Sequence, residues 1–296
     1  LLHMQALRMD LHAHTTASDG KLSPQALVDA ARDAQLDMLA VTDHDTFAGV
    51  QQAQQAGARL GVQVIPGIEL SIEYAGELHL LGYGMDMQNG PLCAALEVLQ
   101  RRRRARADVI LQKLVRLGMP LARAEVEAFA AGETLGRPHI ARAMVRAGYA
   151  REVGDAFDRF LAIGKPAYAA HARLGLAEAM RLLHGAGAAV VWAHPNLTTQ
   201  DEIAQYALLG RMVSLGLDGI ECFHPSSVPP AQGAERLRRW AKALGLHVTG
   251  GSDFHGEADG PALGGMLAYW RPQDDYPHLT SPQTRFLTRI SHKRGG

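Results

Sequence analysis

The sequence predicts an α/β barrel interrupted by an inserted α-helical unit. Two observations point that way. Near both ends of the chain, short apolar runs alternate with amphipathic stretches, the pattern of repeated βα units. From about 91 to 170 the pattern is helical, with almost no strand signal. A third observation concerns placement: histidines and carboxylates gather just after the apolar runs, at the rim where β/α barrels build their sites.

The elements follow in order. Met9 to His12 ends a first strand. Ser23-Pro24 reads as a helix N-cap with proline at the first helical position. The helix it opens buries Leu27, Val28, Ala31 and Ala34, at spacings of three and four. Met38 to Thr42 is a second strand, Phe47 to Ala56 a helix closed by Gly57, and Val62 to Ile72 a third extended run. Gly76 turns the chain into Leu78 to Tyr83. In the middle, Ala107, Ile110, Leu111, Leu114 and Val115 form an apolar stripe, and Gly118, Gly132, Gly148 and Gly164 separate further short helices. The βα rhythm resumes with a helix over Leu176 to His184, a strand over Ala188 to His194 and a helix over Ile203 to Leu215. Gly219 to Phe223 is a strand, Ala231 to Leu244 a helix, and His247 to Asp253 a final strand end. The expected organisation is barrel over 9–90, helical insertion over 91–170 and barrel again over 171–285.

Bulk properties set limits on function. The chain has 296 residues, enough for one large domain or one domain carrying an insertion. A hydrophobic share of 47% supplies a sizeable core. Lys plus Arg and Asp plus Glu are both 30, so no global charge draws the chain to duplex nucleic acid or an acidic membrane. An anionic substrate must be held by local charge. The run Arg101 to Arg104 with Arg106 spreads around a helix and reads as a solvated face. Cys93 and Cys222 form no metal-binding spacing. So few cysteines in a chain this long fit a reducing, cytoplasmic compartment. No signal peptide or membrane span is expected.

The chemistry lies in the polar residues after the strands. His12 and His14, in DLHAH, are two apart on a strand and face the same way. Asp19 follows in a loop that Gly20 lets turn. His44 sits between Asp43 and Asp45 in TDHDT, where Asp45 or Thr46 also suits a helix cap. A histidine flanked by two carboxylates is what a metal ligand needs, since its second nitrogen must be held. Glu69 ends the apolar run VIPGIEL, where an unpaired carboxylate is costly; a metal or a salt bridge answers that cost. His79, His194, Asp253 and His255 fall in similar places. Each has a plain reading alone, as a surface pair or a half-buried histidine. Together, at or near the C-terminal ends of strands, they read as a multi-metal site.

These motifs resemble the PHP superfamily, named for polymerase and histidinol phosphatase domains. DLHAHTTASDG resembles its first motif, TDHDT its second, the strand-end His194 its third and GSDFH its fourth. The resemblance covers residues 9 to 85 and 175 to 260. It implies a distorted (βα)7 TIM-like barrel that binds up to three divalent ions and hydrolyses phosphate esters. It also implies nine ligands, with none missing. His12, His14 and Asp253 would hold one ion and share Glu69 with a second; Glu69, His79 and His194 would complete that second site; Asp19, His44 and His255 would hold a third. The family favours Mn, and the mixed nitrogen and oxygen donors also suit Fe or Zn. Such ions lower the pKa of a bound water and stabilise charge building on phosphoryl oxygens.

His224, in ECFHPSS just past a strand, is the candidate general acid, and Asp43 and Glu221 are candidates to orient ligands or carry protons. Within the superfamily the chain is similar to a small stand-alone branch with a helical insertion. That branch includes phosphatases of nucleoside 3′,5′-bisphosphates and enzymes trimming short RNA from the 5′ end. Arg137 and His139, in GRPH, would clamp a second phosphate. Lys165 and Tyr168, in GKPAYAAH, would add charge and a stacking surface. A nucleotide 3′-phosphatase is therefore the leading expectation. A 5′-3′ exonuclease on short 5′-phosphorylated RNA, a histidinol-phosphate-type phosphatase and a non-catalytic metal-binding module are the alternatives. The oligomeric state is open.

Overall fold

Among the described residues, seven strands and ten α-helices carry the chain through βα units at both ends and a helical segment between them. They are β1 (Met9–Ala13), α1 (Pro24–Asp33), β2 (Met38–Val41), α2 (Val50–Leu60), β3 (Gln63–Ile72) and β4 (Leu78–Tyr83). The helical segment holds α3 (Gly90–Arg116), α4 (Arg123–Glu127), α5 (Arg137–Arg146), α6 (Val153–Ala156) and a π-helical turn over Phe157–Leu161. Then follow α7 (Leu176–Gly185), β5 (Ala189–Trp192), α8 (Pro195–Thr198), α9 (Glu202–Ser214), β6 (Gly219–Phe223), α10 (Gln232–Ala243) and β7 (His247–Gly250). The computed structural model describes residues 7–130, 135–170, 173–227, 232–258, 260–271 and 275. Gly132, Ala231 and most of the stretch expected to run from 271 to 285 lie outside the described residues.

The strands form one sheet in sequence order, β1 to β7. It nearly closes into a barrel: Ala13 bridges Phe254 in parallel, and the His14 amide donates to the Phe254 carbonyl at 2.9 Å. The regular βα alternation breaks at one place. A short turn links β3 to β4, which pairs antiparallel with both β3 and β5, while the other neighbours are parallel. The reversal brings the N-terminal end of β4, with His79, to the rim formed by the C-terminal ends of its neighbours. The expectation of C-terminal strand ends throughout therefore fails for His79 in direction, though not in place.

One apolar cluster fills the barrel and the layer under α7, α9 and α10. A second lies under α1 and α2. A third belongs to the helical segment, with Ile110, Leu114, Val126, Ile140, Met144 and Leu161. Helix α3 spans two of them, since Leu92, Leu96 and Leu99 pack on the barrel and Ala107 onward on the helical segment. Val115, expected in the stripe, is 56% exposed. Ser23 caps α1 as its sequence suggests, accepting from the Ala26 amide. Among the described residues no helix is long and apolar enough to cross a membrane.

Helix α2 differs from expectation at both ends. Neither Asp45 nor Thr46 caps it; it starts at Val50 after Gly49, which makes no side-chain cap. It also runs past Gly57 and ends at Gly61, whose φ of 75° suits a residue without a side chain. Gly57 has another task. A Cβ there would sit 2.4 Å from the Val62 carbonyl oxygen, so α2 and the start of β3 touch through bare backbone. Gly→Ala inside a helix ordinarily stabilises. At Gly57 the sign should reverse, and Gly57→Ala should cost about 1–3 kcal/mol by overpacking, read as a lowered denaturant midpoint at unchanged slope.

Candidate metal centre

The nine candidate ligands converge on the C-terminal rim of the barrel. Glu69 sits at their middle, 1% exposed, with its two oxygens turned to different partners. Its Oε1 lies 2.7 Å from His79 Nδ1 and 2.9 Å from His194 Nε2, and these two nitrogens are 3.2 Å apart. Its Oε2 lies 3.4, 3.3 and 3.0 Å from His12 Nε2, His14 Nε2 and His44 Nδ1. Asp253 Oδ1 is 3.3 Å from His12 Nε2 and 3.0 Å from His14 Nε2. At the outer end, Asp19 Oδ1 lies 3.3 Å from His255 Nε2, and Asp19 Oδ2 lies 3.8 Å from His44 Nε2. His44 thus stands between the Glu69 group and the Asp19 group, one nitrogen toward each.

This arrangement suits divalent ions. Donors about 2.1 Å from one ion and at right angles to each other lie about 3 Å apart, the spacing seen around Glu69. Three groups have donor atoms within 4.8 Å of one another: His12, His14, Glu69 and Asp253; His44, Glu69 and His79; and His14, Asp19, His44 and His255. Seven buried atoms of this set find no hydrogen-bond partner: His12 Nε2, His14 Nε2, Asp19 Oδ1, His44 Nδ1, Glu69 Oε2, His194 Nδ1 and Asp253 Oδ1. Buried polar atoms are almost always paired, so six orphans gathered in these groups, those other than His194 Nδ1, call for a cation.

The ring orientations agree. His12 Nδ1 lies 3.0 Å from Glu221 Oε1 and can only donate to it, which leaves the Nε2 lone pair facing the cluster. His255 Nδ1 donates to the Asp253 carbonyl at 2.8 Å. His14 Nδ1 meets Ser18 Oγ at 3.4 Å, and that hydroxyl donates to Asp43 Oδ1 at 2.6 Å. Each ring is turned so that Nε2 is free to bind.

Charge balance points the same way. Burial alone would depress His12 and His14, yet the carboxylates outweigh it. Glu221, Asp253 and Glu69 raise His12 well above the usual histidine range, and Asp253 and Glu69 hold His14 at about 10. Burial would likewise raise Glu69, Asp19 and Asp253, but the surrounding imidazoles hold all three well below the usual carboxylate range. The centre is built to enclose positive charge.

The backbone is strained where the site is made. Of the four described non-glycine residues with positive φ, His194 and Asp253 are candidate ligands and Asp45 adjoins His44, at 29°, 53° and 52°. Such conformations persist only where the surroundings enforce them. His194 is fixed by its amide donating to Glu221 Oε2 at 2.8 Å. Asp10, buried in β1, accepts from the amides of His12, Ser252 and Gly264 and from the Ser252 hydroxyl. It ties β1 to the segment after β7, so its carboxylate is a structural clasp.

The two candidates for proton transfer take other places. Asp43 is fully buried, and its oxygens accept from the Thr15 amide, the Thr15 hydroxyl and the Ser18 hydroxyl. It anchors the loop carrying Asp19. His224 Nδ1 accepts the Ser226 amide at 3.0 Å, so the neutral ring carries its proton on Nε2, 3.4 Å from Asp253 Oδ2. The Ser226 hydroxyl also lies 2.8 Å from Nδ1. The geometry fits a donor that orients Asp253.

Beside the cluster is a pocket of about 120 Å³. It is lined by Asp19, His44 and His79 of the cluster, by Arg103, Arg106, Arg137 and Arg173, and by one further carboxylate, Glu77. Arg103 and Arg106 are buried, 8% and 7% exposed, so the solvated-face reading of this run fails for both. They lie where α3 crosses from the barrel core to the helical core. Arg103 is paired with Asp45 and donates to Ser71 Oγ at 2.9 Å. Arg106 Nε donates to the Ala169 carbonyl at 2.7 Å, and its buried Nη2 has no partner.

Arg137 is held by the π-helical turn, donating to the Leu161 carbonyl at 3.2 Å and lying 5.4 Å over the Phe157 ring. Tyr168 lies within 6 Å of both Arg106 and Arg137 and fixes guanidinium planes. Lys165 is exposed and does not line the pocket. His139 does not line it either. It is 1% exposed, with Nδ1 accepting the Gly136 amide at 3.0 Å. Burial pushes its pKa down to about 4, which suits a neutral packing residue.

Known proteins place this architecture. The PHP domain family matches residues 10–161. A 5′-3′ exoribonuclease of Haemophilus influenzae is 34% identical over 84% of this chain and 90% of its own length. A 3′,5′-nucleoside bisphosphate phosphatase of Chromobacterium violaceum is 30% identical over 85% of this chain and 88% of its own. A solved structure from Bifidobacterium adolescentis, described as a metal-dependent phosphoesterase, superposes with a TM-score of 0.78 at 29% identity, covering 89% of this chain and 95% of that one. With its nearly closed seven-stranded barrel and a histidine and carboxylate cluster suited to divalent metal, this chain belongs to the PHP domain family of metal-dependent phosphoesterases.

Proposed function

We propose that the chain removes the 3′-phosphate from nucleoside 3′,5′-bisphosphates, using three divalent ions, most suitably Mn²⁺. The observation that carries this reading is a pocket lined both by residues of the metal cluster and by four arginines, which outnumber its added carboxylate Glu77. A substrate with two phosphates fits such a site: one ester faces the cluster, and the second phosphate meets guanidinium groups. Arg106 Nη2, buried and unpartnered, is a donor waiting for an oxygen acceptor. The helical segment 91–170 would then be an inserted unit that supplies most of the second-phosphate contacts.

Glu69 would join two of the ions, His12, His14 and Asp253 completing one site and His79 and His194 the other. Asp19, His44 and His255 would hold the third. Bound ions supply a water of lowered pKa and positive charge for the phosphoryl oxygens. The chain's own residues do the rest. Glu221 and Asp43 fix the imidazoles of His12 and His14, His224 holds Asp253, and the arginines set the ester's position and shield the second phosphate's charge.

Cleavage from the 5′ end of short 5′-phosphorylated RNA is a second reading. It is favoured by the 34% identity to the Haemophilus influenzae exoribonuclease. The same pocket would hold the terminal 5′-phosphate. Phosphate release from 3′,5′-adenosine bisphosphate, AMP and histidinol phosphate, alongside mononucleotide release from a labelled oligomer, separates these readings. The bisphosphate should be strongly preferred among the small substrates; equal rates on all three would remove the second-phosphate pocket. Arg137→Ala should raise KM for the bisphosphate roughly 10–100-fold, the loss of one or two charge-assisted hydrogen bonds. Its kcat should change little, and rates on AMP should hardly move.

A further inference from the structure

The Asp19 end of the cluster is fastened from outside the barrel. The loop after β1 folds back tightly: a Cβ on Gly20 would fall 2.4 Å from the His14 carbonyl oxygen. On its inner side Asp43 holds Thr15 and Ser18. On its outer side the contacts come from α5, in the helical segment. Arg142 Nη2 donates to the Asp19 carbonyl at 2.8 Å and to Glu257 Oε1 at 2.7 Å. Glu257 also pairs with Lys21, whose amide donates to the His255 carbonyl at 2.8 Å. The Arg142 side chain is only 10% exposed, so this is a built contact.

We infer that Arg142 is a positioning residue for the outer metal site, setting the separation of Asp19 and His255 through the Asp19 carbonyl and Glu257. The inference rests on the three-ion reading above. Both ligands sit in loops, with the barrel's own hydrogen bonds holding only one side of the Asp19 loop. The Lys21 amide already ties the two segments at the His255 carbonyl, and a guanidinium with one donor on each adds a second tie, on the Asp19 side of the loop. Occupancy of the outer site is thereby coupled to docking of α5 on the barrel rim. Residues that hold ligands in this way are worth roughly 10–100-fold in metal affinity.

The test is metal content and affinity, read without turnover. The full chain is stripped, reloaded with Mn²⁺ and titrated against a chelator, and its melting is followed in the stripped state. In the wild type, three ions should bind. Arg142→Ala should weaken the most loosely held ion at least tenfold, leave the other two within about threefold and melt normally when stripped. Arg142→Lys, which keeps one charged donor, should fall between. If Arg142→Ala does not fold, Glu257→Gln carries the test, and it should weaken the same ion. Three ions held equally by wild type and variants would overturn the inference alone. A wild type holding only two would overturn the three-ion reading and the inference with it.

Discussion

Glu69→Gln should abolish turnover, with phosphate release falling at least ~10³-fold at saturating Mn²⁺, because the substitution removes a charge shared by two groups of ligands. Oε1 faces His79 and His194 while Oε2 faces His12, His14 and His44, so no neighbour can replace it. Gln keeps the size and one acceptor oxygen. Its amide nitrogen, however, offers hydrogens to histidine lone pairs that should point at metal. Metal content should fall together with activity, by at least one ion per chain. A variant that keeps its full metal complement and works within tenfold of wild type would sink the bridging role. Elemental analysis and phosphate release on one sample decide it.

The barrel and the cluster were legible for the same reason. The ligands sit in short polar insertions within otherwise apolar runs, as with His12 in MDLHA and Glu69 in VIPGIEL, and burial makes such residues conspicuous. What stayed hidden depends on tertiary context. The reversed direction of β4 leaves no mark in LHLLGY, since a strand has the same pattern either way. Gly57 looked like a helix stop because the close approach of Val62 cannot be seen along the chain. Arg103 and Arg106 looked like Arg101 and Arg104. Only the passage of α3 between two cores decides which of these guanidiniums are buried. The hydrogen-bond partners of Asp43 and His224 were hidden too, because they depend on which loops the fold brings beside each side chain.

Arg103 should prove as important to folding as to binding. Its guanidinium pairs with Asp45 at 9% and 1% side-chain exposure, and no other cation is paired with that carboxylate among the described residues. Asp45 in turn accepts the Ser71 amide at 3.1 Å and donates its own amide to the Glu69 carbonyl at 2.9 Å. It does so at a φ of 52°, directly after His44. Arg103→Leu strands a buried carboxylate, which costs about 3–5 kcal/mol and should lower Tm by on the order of 10 °C. Adding Asp45→Asn removes the stranded charge, and asparagine tolerates the left-handed backbone. The double variant should regain most of the lost Tm. Activity should not return with it, since one guanidinium of the anion pocket is still missing. Recovery of both would confine Arg103 to a structural role, and a fall in Tm below about 2 °C in the single variant would show that the pair is not held in the folded chain.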